Sequence, residues 1–125
     1  MRDLRTTIPQ LLANTLYQEY KGASLDINFL PPKEGYLVSV IQGPIFDKPG
    51  DISPIKVAGF IRENIDTLTR YSSYYFAGTW QDDKTGKVYF DISVRYDDLE
   101  EAKRFAREVK QIAIYDVVNG CEIRL

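Results

Sequence analysis

The side chains of this chain that could do chemistry are carboxylates, hydroxyls and aromatic rings, because there is no histidine and Cys121 is the single cysteine. Lack of histidine removes the commonest general base, the Ser-His and Cys-His nucleophile pairs, and the commonest transition-metal ligand. One thiol cannot complete a zinc or iron–sulfur ligand set. The eight glycines are scattered singly, without the spacing of a phosphate-binding loop or a dinucleotide fingerprint. No cofactor, no metal and no catalytic residue is therefore expected.

Two acidic pairs, Asp82-Asp83 and Asp97-Asp98, have the oxygen chemistry of a magnesium site. Their positions point elsewhere: the first pair falls in a tight turn and the second at a helix start, where Asp caps backbone N–H groups. Asp91 differs because it lies in mid-strand, flanked on its own face by Tyr89 and Ser93. Its ordinary reading is a solvent-facing strand position, and its functional reading is a ligand contact. Arg95 lies about 13 Å further along that face by strand rise, too far to pair with Asp91 directly. Trp80 alternates with Tyr74, Phe76 and Gly78, an aromatic series that core packing accounts for. Beside the turn, a partly exposed indole could also anchor a partner. The candidate ligand- or partner-binding residues are thus Trp80, Tyr89, Asp91, Ser93 and Arg95.

The elements that must position them are legible from residue 74 onward. Strands over 74–81 and 87–96 flank the turn 82–86, where Gly86 can take the positive φ of a bulged loop. In the second strand Val88, Phe90, Ile92 and Val94 face the core, while Tyr89, Asp91, Ser93 and Arg95 face away. Asp97 or Asp98 caps a helix over 97–110 whose buried side is Leu99, Ala102, Phe105, Ala106 and Val109. Strands 112–118 and 121–125 close on Asn119-Gly120, which predicts a type I′ turn. Upstream, residues 6–20 read as a helix capped by Thr6 or Thr7 with Pro9 in its first turn. A strand at 24–29 ends at Pro31-Pro32, and a stronger one spans 36–42. The Pro/Gly/Asp composition of 43–53 predicts an irregular loop. Ser53-Pro54 opens a helix over 53–69, within which the small Gly59 suggests close approach to the sheet.

This order spells β-α-β-β-α-β, the split βαβ or ferredoxin-like arrangement, within an α+β fold. Right-handed crossovers place both helices on one sheet face. The N-terminal helix and strand and the C-terminal hairpin strand are additions that cover the second face or extend an edge. A chain of 125 residues fits one domain over 1–125 with its own core. The net charge of −2 is spread evenly: residues 1–62 carry seven basic and six acidic groups, and 63–125 carry nine and twelve. Such a balance demands neither nucleic acid nor membrane. Lys103, Arg107 and Lys110 share a helix stripe beside Arg104, and a solvated face with a Glu100–Arg104 pair accounts for it. The strand Lys87–Val94 turns only one aromatic, Tyr89, outward where an RNA-recognition sheet needs several, and Asp91 repels phosphate. No run reaches the length of a membrane span and no secretory signal is visible. With one cysteine, a reducing, cytoplasmic location is expected.

Gly78-Thr79-Trp80, Thr85-Gly86-Lys87-Val88-Tyr89, Ala106-Arg107-Glu108, Gln111 to Asp116 and Asn119-Gly120 resemble short uncharacterised proteins of phages and prophage-like elements over residues 74–125. The resemblance implies a context: small phage proteins often bind and block a host protein, for instance a defence component, in the host cytoplasm. The first expectation for function is accordingly a non-enzymatic protein acting stoichiometrically on a protein partner. The alternatives are a small-ligand module, with Tyr89, Asp91, Ser93 and Arg95 forming a polar pocket under the 43–53 loop, and a carboxylate-dependent enzyme. Because the last strand ends the chain at a sheet edge, a two-fold homodimer is also expected.

Overall fold

The computed structural model describes residues 4–125, with side chains from residue 7 onward. Its elements are α1 (Leu4–Gln18), β1 (Gly22–Leu25), β2 (Tyr36–Phe46), α2 (Pro54–Glu63), α3 (Ile65–Arg70), β3 (Tyr75–Gln81), β4 (Val88–Tyr96), α4 (Leu99–Glu108), β5 (Ala113–Asp116) and β6 (Cys121–Arg124). The strands form one antiparallel sheet in the order β1-β3-β4-β2-β5-β6. No described helix is long and apolar enough to cross a membrane.

Strand alternation places the core. Val88, Phe90 and Ile92 of β4 are buried with Leu12 and Leu16 of α1, Val57 and Ile61 of α2, and Leu68 of α3. Val94 and Tyr96 share the parity of those β4 residues and pack with Ala102 and Ala106 of α4, Val38 and Ile114. All four helices therefore lie on one face. A side chain as completely buried as Leu16 contributes about 1.5–3 kcal/mol through removal from water. The N-terminal elements take the edge-extending option: β1 pairs with β3, and α1 joins the helix layer. No described helix covers the other face.

Caps and turns fix the β3–β4–α4 unit. Gly86 has φ +78°, and its N–H donates to Asp82 O at 2.8 Å to close the hairpin loop. The Asp82 carboxylate accepts from the Lys84 N–H at 2.9 Å, which holds its pKa below the ordinary value. Ser53 Oγ accepts from the Lys56 N–H at 3.3 Å at the start of α2, and Asp98 Oδ2 from the Glu101 N–H at 3.2 Å at the start of α4. Both acidic pairs thus supply turn or cap groups.

Several expectations need correction. α1 starts before Thr7 and contains Pro9 within it, so the Thr7 cap fails; the Thr6 side chain lies outside the described residues. β1 stops at Leu25 because Asp26 Oδ1 accepts N–H bonds from Asn28 and Leu30 at 2.8 and 3.0 Å, while Phe29 takes φ +64°. This local carboxylate–backbone bonding turns the chain, yet Ile27 and Phe29 still pack on the core. β2 continues to Phe46 through Gly43-Pro44, with register shifts at Ser39/Ile41 and Gln42/Ile45. Bulges admit a proline that a regular ladder would exclude.

The expected helix over 53–69 breaks at Asn64, whose Nδ2 donates to Phe60 O at 2.9 Å and competes with the helical ladder. Gly59 permits no close approach, since a Cβ there would meet nothing within 4 Å. On α4, Glu100 lies 3.9 Å from Lys103 rather than pairing with Arg104. The closing hairpin is not type I′: Asp116 pairs with Cys121, leaving a four-residue loop in which only Gly120 has positive φ, +64°. Asp116 explains this, because its carboxylate accepts from both the backbone N–H (3.1 Å) and Nδ2 (2.7 Å) of Asn119. Those bonds hold Asn119 out of the left-handed region and hold the Asp116 carboxyl below its ordinary pKa.

Candidate functional site

The face away from the helices carries all five expected binding residues. β3 and β4 pair Trp80 with Tyr89, Gly78 with Asp91 and Phe76 with Ser93. Each pair shares the uncovered face because Ala77 and Phe90, one residue off in register, point into the helix-side core. The series Tyr74, Phe76, Gly78, Trp80 therefore does not pack against the helices, contrary to the core reading. Of its three aromatic members only Phe76 is deeply buried, at 4% exposure, while Tyr74 and Trp80 are about half exposed.

At one end, the Trp80 and Tyr89 rings stack with centroids 4.3 Å apart and an interplanar angle of 7°. Stacking of cross-strand aromatics is worth ~0.5–1.5 kcal/mol beyond the area it buries. Trp80 remains 46% exposed, and Ile45, paired with Tyr89 on β2, is also exposed. These residues make an apolar, solvent-facing corner on a rigid sheet.

The centre of the face is polar and buried. Asp91 is 8% exposed and Ser93 is equally buried, so neither occupies the solvent-facing position expected from sequence. The β2 register shifts at Ser39/Ile41 and Gln42/Ile45 lie beside these residues, and bulges of this kind bend a strand. Burial pushes the Asp91 carboxyl above its ordinary pKa, while a hydrogen bond with the Ser39 side chain opposes that rise. The absence of a side chain at Gly78 makes room: a Cβ there would lie 2.9 Å from Asp91 Oδ1 and 3.3 Å from Ser24 Oγ. Ser24, Ser39 and Asp91 thus form a small polar nest across three strands. The segment 43–53 does not roof it, because its buried residues Phe46 and Ile52 belong to the helix-side core.

Arg95 occupies the other end and makes no pair with Asp91. Its guanidinium lies 5.5 Å from the Tyr74 ring centroid and 3.7 Å from Asp97 Oδ1. Its Nε is buried without a hydrogen-bond partner. Beside it a groove of about 370 Å³ opens between the end of α3 and the start of α4. Tyr71, Tyr74, Tyr75 and Tyr96 line it together with Asp97, Asp98 and Glu101. Sequence reasoning missed this groove, although three tyrosines within residues 71–75 were its signal.

Chemically, the face offers an aromatic corner, a buried carboxyl–hydroxyl nest and a stacked guanidinium. Among the described residues, no group of three or more His, Cys, Asp or Glu is placed to hold a metal ion. No family model, curated protein or solved structure matches the chain significantly.

Proposed function

We propose that this is a non-enzymatic binding protein that engages a protein partner stoichiometrically through its uncovered sheet face, with Trp80 and Tyr89 as the anchor. The carrying observation is that stacked pair, with Trp80 46% exposed and Tyr89 partly buried beneath it, on a face without a helix layer. A pre-ordered aromatic corner loses little side-chain freedom on binding, and Trp and Tyr dominate interface energetics. The order β3-β4-β2-β5 at the centre of the sheet, with helices joining β2 to β3 and β4 to β5, supports the finer reading of a ferredoxin-like split βαβ. Resemblance to phage-encoded proteins favours a host protein as the partner, a defence component blocked in the host cytoplasm.

The test is capture from host lysate, identification of the retained protein, and titration of that purified protein against wild type and Trp80→Ala. Loss of roughly thirtyfold in affinity is expected for a central aromatic anchor. Equal affinity of the two forms would overturn the reading. A small-ligand module is the second reading, favoured by Asp91 and Ser93 being buried on a face no described helix covers.

A further inference from the structure

The tyrosine groove at the Arg95 end lies outside the aromatic anchor and carries its own chemistry. It sits at the seam between the two core clusters, since Tyr75 packs with the larger and Val94 and Tyr96 with the smaller. Its walls therefore belong to packed strands, while Tyr71, at the C-terminal end of α3, is 48% exposed at its rim. Aromatic faces are the negative ends of ring quadrupoles and attract cations. The carboxylates lining the groove are Asp97, Asp98 and Glu101, against a single cation, Arg95. Lining charge is therefore net negative by two.

The chain already shows what this environment accepts. Arg95 places its guanidinium over Tyr74 and near Asp97. Asp98 is committed to the α4 cap. Glu101 makes no ion pair among the described residues. Burial raises the Tyr96 hydroxyl above its ordinary pKa, and the charges of Tyr75, Glu101 and Glu108 add to the rise. The α4 N-terminus would favour an anion, but its cap and first turn already carry Asp98, Glu100 and Glu101.

We infer that the groove receives a cationic side chain, lysine or arginine, of a protein partner, laid over the Tyr71 and Tyr75 rings, whose centroids are 5.7 Å apart, beside Tyr96 and facing Glu101. The groove is open to solvent, and its volume of about 370 Å³ has room for one side chain. The inference rests on the partner-binding reading for its source of cation, but its test does not. Recognition here is by charge and ring face together, so a neutral aliphatic chain of the same length should not replace the cation.

The experiment is an NMR titration of the full chain with Nα-acetyl-lysine methylamide and Nα-acetyl-arginine methylamide. The norleucine analogue and acetate serve as neutral and anionic controls. Saturable shifts at Tyr71, Tyr75, Tyr96 and Glu101 are expected with the two cations only, weakened by added salt. Tyr71→Ala and Glu101→Gln, both at exposed positions, should each weaken binding roughly two- to fivefold. Equal response to norleucine, a stronger response to acetate, shifts confined to the Trp80 indole, or no saturable shift would each overturn the inference. None of these results bears on the Trp80→Ala titration, so the two readings fail separately.

Discussion

Gly78 and Asp91 face each other across β3 and β4, and each constrains the other. Ala normally suits a strand interior better than Gly because it loses less backbone entropy on folding. Here its Cβ would meet the Asp91 carboxylate at 2.9 Å and the Ala23 carbonyl oxygen at 3.3 Å. Gly78→Ala should cost about 1–3 kcal/mol, the usual range for overpacking. The cost should shrink in an Asp91→Ala background, and an unchanged urea midpoint for Gly78→Ala alone would refute the fit. Asp91 also makes a pH prediction. Its folded pKa lies above the ordinary value of 3.8, so the native state holds its proton more tightly than the unfolded chain. The stability this gives is present below that value and is lost as pH rises through the folded pKa. Asp91→Asn removes the titration, so its stability relative to wild type should increase from acid toward neutral pH. Parallel stability–pH profiles would contradict the buried carboxyl.

At the scale of elements, α4 shows how backbone geometry overrides composition. Its C-terminal end forms a Schellman motif: the Gln111 N–H donates to Ala106 O at 2.8 Å and the Lys110 N–H to Arg107 O at 3.1 Å. Lys110 occupies the left-handed position with φ +62°, where glycine is free of the Cβ clash that lysine bears. Lys110→Gly should therefore stabilise the protein by about 0.5–1 kcal/mol, after the greater entropy of unfolded glycine is deducted. Thermal denaturation would check this, and a lower melting temperature would refute it. Gln111 ties the same turn to the sheet, its Nε2 donating to Ser39 O at 3.0 Å. That bond occupies the carbonyl of the residue whose hydroxyl serves Asp91, so the helix end and the polar nest share a support.

For the whole molecule, the two core clusters are unequal. α1, α2, α3 and most of β3 and β4 share the larger one, while α4, β5 and β6 close over four buried residues. Both edge strands, β1 and β6, are four residues long. On β6, Glu122 and Arg124 lie 3.3 Å apart and offset each other's charge, leaving little to repel a second edge. Pairing of two copies through an edge is the proposed quaternary form. Light scattering across a concentration series should show a mass near twice the 14.4 kDa of the chain. A mass that stays at the monomer value would rule the dimer out.

The sequence by itself determined the features in which local chemistry and side-chain period agree. The alternation of residues 88–95 set which side chains of β4 face the helices, and Ser53, the Asp97-Asp98 pair and Gly86 set two helix starts and a turn, the structure choosing Asp98 of the pair as the cap. Each is decided within a few residues, so no distant contact can change it cheaply. The common face of Trp80, Tyr89, Asp91, Ser93 and Arg95 was legible in part, since parity is local once the hairpin register is set by its turn. What that face looks like was decided only by tertiary structure. Solvent at Asp91 depends on strand curvature and on a glycine in the neighbouring strand, thirteen positions away in sequence. The stack of Trp80 on Tyr89 depends on register, and the tyrosine groove on how far apart α3 and α4 land. The break at Asn64 and the Asp116–Asn119 loop lay within local reach, but there a side-chain amide or carboxylate competes with the backbone, and propensity alone does not say which wins. Burial of a polar group and closure of a groove are sums over several elements, and no window along the chain contains them.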